Sequence, residues 1–213
     1  MTIGVFDSGI GGKSVANAIE QALPEHTVIF RDDSAHLPYG TKTIQEIRGY
    51  VTPILQEMST TCNVIVVACN TVSTNLIQEL RKVVPVPLIA TEPMVKSAVE
   101  RTKSKIVAVC ATPRTLESPR YTELKERYAA GVTVLEPDCS EWTSLIEANQ
   151  MNQERIDKEV NDICNAGVDV IVLGCTHYHW IEEQITQAAK GRAEVLQPEP
   201  AIIEQLKRVL AQL

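Results

Sequence analysis

The chain has 213 residues, 44% hydrophobic and 22% charged, a balance that supplies a sizeable apolar core and excludes an intrinsically disordered polymer. Its formal net charge of −7 and its lack of a Lys/Arg cluster argue against nucleic-acid or membrane-surface partners, and require any anionic substrate to be held by local donors. No stretch is apolar enough to span a membrane, the N-terminus lacks the features of a leader, and six cysteines without a C-x-x-C pair fit reduced thiols in the cytoplasm better than disulfides or structural zinc.

Short Val- and Ile-rich runs alternate with longer segments of helical period, the pattern of repeated βα units around a largely parallel sheet. A strand at 2–6 leads through Asp7-Ser8-Gly9-Ile10-Gly11-Gly12 into a helix at 12–22. A strand at 27–31 precedes Pro38-Tyr39-Gly40 and a helix at 43–60, which Pro53 should kink or split. A strand at 64–68 runs into Cys69-Asn70-Thr71 and a helix at 72–83. Strands at 87–90 and 105–109 alternate with helices at 93–102 and 115–128, with Ala111-Thr112-Pro113-Arg114-Thr115 before the latter. A strand at 132–135, helices at 140–149 and 153–166, and a strand at 169–173 follow. Cys175-Thr176-His177 then precedes a helix at 178–189, a strand at 193–196 and a helix at 200–212. Asn63-Val64-Ile65-Val66-Val67-Ala68-Cys69 can be laid over Asp169-Val170-Ile171-Val172-Leu173-Gly174-Cys175, and Val5-Phe6-Asp7-Ser8 over Val109-Cys110-Ala111-Thr112. Either the chain holds two α/β halves of similar plan, or Val-rich strands match by chance.

In open α/β sheets ligands gather beyond the carboxyl ends of strands, so the residues just after the apolar runs carry the functional expectations. The glycine-rich stretch ending Gly12-Lys13-Ser14 is not a phosphate-binding P-loop, because Asp7 stands where its first glycine belongs; Ser14 likewise breaks the dinucleotide pattern. A tight strand-to-helix turn remains, either structural or able to hold a carboxylate on its N–H groups. Cys69 and Cys175 each follow a buried strand and precede a helix start, where the helix dipole and nearby hydroxyls favour thiolate over thiol. One such cysteine reads as a small residue in a turn; two in equivalent places point to function. His177 either poises Cys175 or is a satisfied core histidine, whereas His26, His36 and His179 read as structural or surface residues. Asp7 stands out among the carboxylates because it follows a buried strand directly, and Glu147 either approaches His177 or faces solvent.

Phe6-Asp7-Ser8-Gly9-Ile10-Gly11-Gly12, Pro38-Tyr39-Gly40, Ala68-Cys69-Asn70-Thr71 and Gly174-Cys175-Thr176-His177-Tyr178, in this order, resemble the glutamate racemases of the aspartate/glutamate racemase superfamily. The resemblance spans almost the whole chain. It implies two similar α/β domains with largely parallel sheets facing each other across the active site. The first would comprise 1–92 and 195–213 with Cys69, the second 93–194 with Cys175. It further implies conversion of L-glutamate to D-glutamate for peptidoglycan, with Cys69 as base toward the D-enantiomer and Cys175 toward the L-enantiomer. Asp7 would assist Cys69, and His177 would assist Cys175, oriented by Glu147. Asp7, Ser8, Tyr39, Gly40, Asn70, Thr71, Thr176 and His177 would contact the substrate, with Thr112 and Thr115 as further contacts.

Removing the α-proton of an amino acid leaves a carbanion beside a carboxylate, so an enzyme without an electron sink must supply preorganised donors. Pyridoxal phosphate would need a Schiff-base lysine, and no lysine follows a buried strand in a comparable place, so neither cofactor nor metal is expected. The expected partner is a small molecule, with no nucleic acid and no membrane; a homodimer is left open. Two rival readings share the scaffold: a racemase of aspartate or another amino acid, and a non-catalytic amino-acid-binding protein.

Overall fold

A computed structural model describes residues 1–213 in full. The chain divides into two compact units, Met1–Glu92 with Pro198–Leu213, and Pro93–Gln197. The first contains β1 (Thr2–Asp7), α1 (Gly12–Ala22), β2 (Thr27–Asp32), α2 (Ile44–Met58), β3 (Val64–Val67), α3 (Asn70–Val83) and β4 (Leu88–Ala90). The second runs through α4 (Val95–Arg101), β5 (Ile106–Cys110), α5 (Pro113–Leu116), α6 (Pro119–Tyr128) and β6 (Thr133–Leu135), then α7 (Trp142–Glu147), α8 (Gln153–Asn165), β7 (Val170–Leu173), α9 (Glu182–Ala189) and β8 (Glu194–Leu196). The chain then returns to the first unit with α10 (Glu199–Leu210). Because β8 pairs with β7, the return falls at Pro198, three residues beyond the expected 195.

Each unit is built on a four-stranded, wholly parallel sheet, ordered β2-β1-β3-β4 in one and β6-β5-β7-β8 in the other. The expected α/β class holds, and the common strand order accords with two halves of one plan. All-parallel sheets are covered on both faces, which explains why β3 and β7 read as unbroken apolar runs. Along β3, Ile65 and Val67 point into a core built with α2 and α3, while Val64 and Val66 point into one built with α1 and α10. Along β7, Ile171 and Leu173 join α8 and α9, while Val170 and Val172 join α4 and α6. In each sheet the chain winds one way from the first-formed strand and then the other, so the switch points lie between β1 and β3 and between β5 and β7.

Several expected helices differ in detail. Pro53 neither splits nor ends α2, because it and Gly49, whose carbonyl loses the proline's missing N–H, both lie on the solvent face. A capping box between Thr43 and Glu46 fixes that helix's start. The expected helix at 115–128 is two: Thr112 caps α5, and Ser118 caps α6 with Pro119 in its first turn. The expected helix at 140–149 narrows to α7. That at 178–189 opens as a 3₁₀ turn over Thr176–Ile181, since Cys175, Tyr178 and Ile181, three residues apart, all enter one core.

Candidate active site

In the first unit, the candidates sit at the ends of β1 and β3, on either side of the switch point. Asp7 ends β1 with no exposure, and its Oδ2 accepts the Gly12 N–H at 2.9 Å. The turn admits only glycine at 12: an added Cβ would lie 2.5 Å from Asp7 Cβ. Cys69 caps α3 and is buried; its thiol donates to Ser8 Oγ at 3.4 Å. As the N-cap of a 14-residue helix, Cys69 stands at the dipole's positive end. Ser73, in the first turn, donates to the Val67 carbonyl at 2.9 Å and accepts the Thr91 N–H at 3.2 Å, tying the ends of β3 and β4 together.

Asn70 and Thr71 begin α3 and are buried. Neither the amide nitrogen nor the amide oxygen of Asn70 has a hydrogen-bond partner in the protein. A buried amide with both functions unused is a ready donor and acceptor for a polar ligand. Tyr39 and Gly40 lie in a short 3₁₀ turn, Tyr39 buried and Gly40 half-buried. The Tyr39 hydroxyl donates to Asp33, whose other oxygen meets His36 Nδ1 at 2.7 Å, while the His36 ring stacks on Tyr50. Burial, reinforced by Asp33 and more weakly by Cys69 and Asp7, pushes the Tyr39 phenol far above its usual range and keeps it neutral.

In the second unit, β7 ends at Leu173, and Gly174 carries the chain past Ala111: a Cβ there would sit 2.9 Å from Ala111 Cβ. Cys175 follows, buried, with Sγ 3.8 Å from His177 Nδ1 and 3.8 Å from Thr143 Oγ1. His177 Nε2 meets Glu147 Oε1 at 2.6 Å. That carboxylate selects the Nε2–H tautomer of neutral His177, which leaves the Nδ1 lone pair toward the sulfur. The result is a relay of thiol, imidazole and carboxylate. It takes the place of the helix dipole expected at Cys175, which precedes only the short 3₁₀ turn. Thr176 is buried beside the cysteine. Tyr178 donates its hydroxyl to the Cys139 carbonyl at 2.9 Å and packs edge-on against Trp142, fixing the turn to α7.

Thr112 and Thr115 flank the start of α5, beyond β5, with their hydroxyls 3.0 Å apart; Thr115 is fully buried and Thr112 half-buried. A cavity beside them is bordered by Glu117, Glu136 and Asp138, a lining hostile to an anion. Two residues in contact with the candidates went unread in the sequence. Asp33 lies six positions from Tyr39 across a loop, without a spacing signal. Thr143 precedes Glu147 by one helical turn, and that i, i+4 relation was a usable one. The other cysteines, Cys62, Cys110, Cys139 and Cys164, are buried and free.

Residues 10–206 match the model of the Asp/Glu/Hydantoin racemase family. The chain belongs to that family. The glutamate racemase of Pseudomonas paraeruginosa is 36% identical over 217 residues, covering 98% of this chain and 81% of the relative. Among solved structures, Escherichia coli glutamate racemase in complex with L-glutamate and the activator UDP-MurNAc-Ala superposes with a TM-score of 0.90 at 29% identity, covering 99% of this racemase and 82% of that chain. Francisella tularensis glutamate racemase in complex with D-glutamate gives a TM-score of 0.81 at 25% identity, covering 99% and 81%. The resemblance carried by the four motifs is thereby confirmed for this racemase. No helix in it is long and apolar enough to cross a membrane.

Proposed function

We propose that this racemase interconverts L- and D-glutamate without a cofactor, using Cys175 and Cys69 as the two acid/base groups, and so supplies D-glutamate for peptidoglycan precursors. The observation that carries the reading is the relay Cys175–His177–Glu147, with contacts of 3.8 and 2.6 Å. A buried thiol next to an unprotonated imidazole nitrogen, itself backed by a carboxylate, is an arrangement for moving a proton. The glutamate in the names of the relatives and in the two complexes supports the substrate.

In the L-to-D direction the Cys175 thiolate takes the α-proton and the Cys69 thiol delivers its own; in the reverse direction the roles exchange. His177 buffers the Cys175 proton and Glu147 steadies the imidazolium. Asp7, at the end of the strand beside Cys69, serves as the corresponding acceptor for Cys69. Asn70 and the hydroxyls of Ser8, Thr71 and Thr176 supply neutral donors for the substrate carboxylates and for the charge that develops at Cα. Neutral donors suit a protein of net charge −7, in which a field of basic residues is absent.

The test is racemisation of single-enantiomer glutamate in deuterated water by protein with nothing added. Early product should carry deuterium at Cα while unreacted substrate stays largely protiated, because the delivering thiol has already exchanged with solvent. Largely protiated early product would remove the two-base mechanism. Turnover of aspartate in preference to glutamate would remove the substrate assignment.

A further inference from the structure

One buried hydroxyl beside Cys175 has no part in the proton transfer described so far. Thr143 is 8% exposed, and its Oγ1 lies 3.8 Å from Cys175 Sγ, as far as His177 Nδ1 does. The two neighbours differ in what they offer. With its Nε2–H committed to Glu147, neutral His177 turns a lone pair to the sulfur, which welcomes a thiol proton and repels a thiolate. A threonine hydroxyl rotates, accepting from S–H and donating to S⁻.

The remaining titratable groups around Cys175 within this unit give no such donor. Tyr178 commits its hydroxyl hydrogen to the Cys139 carbonyl, so toward this site its oxygen only accepts; it is the second acceptor within reach of the Thr143 hydroxyl, which turns from it to the sulfur when S⁻ forms. Cys110 is a fully buried thiol; Cys139 is held well above the usual thiol range by its contact with Cys110 and by burial. Glu147 acts only through His177.

We propose that Thr143 is the hydrogen-bond donor that holds Cys175 as a thiolate while His177 is neutral, and so sets the share of enzyme ready to accept a proton from the L-enantiomer. No covalent bond changes at Thr143. Its hydroxyl turns from accepting the S–H to donating to S⁻, as the sulfur's proton leaves to solvent, directly or by way of His177 Nδ1, and His177 ends neutral. The assignment rests on Cys175 being the base of the proposed racemisation. The position of Thr143 one turn before Glu147 means that a single face of α7 carries both supports of the cysteine, one for the thiolate and one for the imidazolium.

The experiment reads Cys175 directly. Substrate-free protein is alkylated with iodoacetamide from about pH 6 to 9, and modification of the Cys175 peptide is followed by mass spectrometry. Thr143→Val keeps the shape of the side chain and removes the donor. At neutral pH it should slow alkylation about three- to tenfold, the difference closing at high pH where every such thiol ionises. Thr143→Ser should restore the wild-type curve, and Thr143→Ala should repeat the Val result if the second methyl disturbs α7. Superimposed curves, or a rate lowered by one factor at every pH, overturn the proposal, since the latter reports access rather than ionisation. Racemisation assayed on the same proteins separates the two claims. A wild-type protein that does not racemise glutamate, with a curve that still moves in Thr143→Val, removes the function and leaves the donor in place. Active protein with an unmoved curve removes the donor alone.

Discussion

Glu147→Gln isolates the charge that backs the relay. Glutamine matches the shape of glutamate and can still accept from His177 Nε2 through its carbonyl, so what disappears is the negative charge 2.6 Å from that nitrogen. A hydrogen bond to a charged partner contributes about 1.5–3 kcal/mol. The Glu147 side chain is 26% exposed while His177 is 2% exposed, so solvent screening places the loss near the lower end, about 1.5–2 kcal/mol. The imidazolium must form for His177 to take the Cys175 proton, which makes the loss one of rate: kcat/KM should fall roughly 10- to 30-fold. Without the carboxylate, His177 protonates less readily, so the acid limb of the pH–rate profile moves to lower pH. Circular dichroism at fixed substrate, repeated from each enantiomer, measures this. The enantiomers have equal free energy in water, so kcat/KM must fall equally in both directions. A value within threefold of wild type, with an unshifted profile, would refute the relay.

Cys69→Ala and Cys175→Ala should each abolish racemisation while leaving thermal unfolding nearly unchanged; Cys62→Ala and Cys164→Ala, whose thiols are pushed up by burial and do not follow the carboxyl end of any strand, should stay active in the same assay. Gly12→Ala should destabilise the first unit by about 2 kcal/mol or more, because the new Cβ would meet Asp7 Cβ at 2.5 Å; a urea titration with an unshifted midpoint would contradict this. Asp169→Asn tests a structural carboxylate. Burial pushes Asp169 up, but bonds from the Thr102 hydroxyl and the Ser104 and Lys103 N–H groups outweigh it and hold it below the usual range. A depressed carboxylate stabilises above its unfolded titration and loses that contribution as pH falls through the folded one. The variant should therefore cost about 1–2 kcal/mol in urea unfolding at neutral pH, and the gap should close at the acid end.

The strand frame was legible because parallel strands buried on both faces leave an unmistakable signal: Val64–Val67 and Val170–Leu173 are apolar at every position. The cysteines were legible for the same reason, each standing one small residue beyond such a run. Less was readable where tertiary packing decides local form. A period of three in Cys175, Tyr178 and Ile181 sets the 3₁₀ turn, but it emerges only once all three are known to enter one core. Pro53 marks a break by its chemistry alone, and survives because of which side of α2 faces water. Asp33 has an ordinary surface sequence around it, and its burial under Tyr39 depends on two short turns that no periodicity announces. Thr143 was hidden by its neighbours, since a threonine next to Ser144 reads as a solvated helix face.

The return of α10 to the first unit has a consequence for how the chain folds as it is made. Residues 93–197 complete the second unit from one continuous stretch, whereas the first unit draws Ile202 and Leu206 into the core that covers Val5, Val64 and Val66. Until those residues leave the ribosome, the face of the first sheet that α1 and α10 share is covered by α1 alone. At a synthesis rate of about 5–20 residues per second, the half of the chain that begins first must wait for the half that follows it. Val5, Val64 and Val66 thus wait for the second half of their cover until residues from beyond the whole second unit arrive.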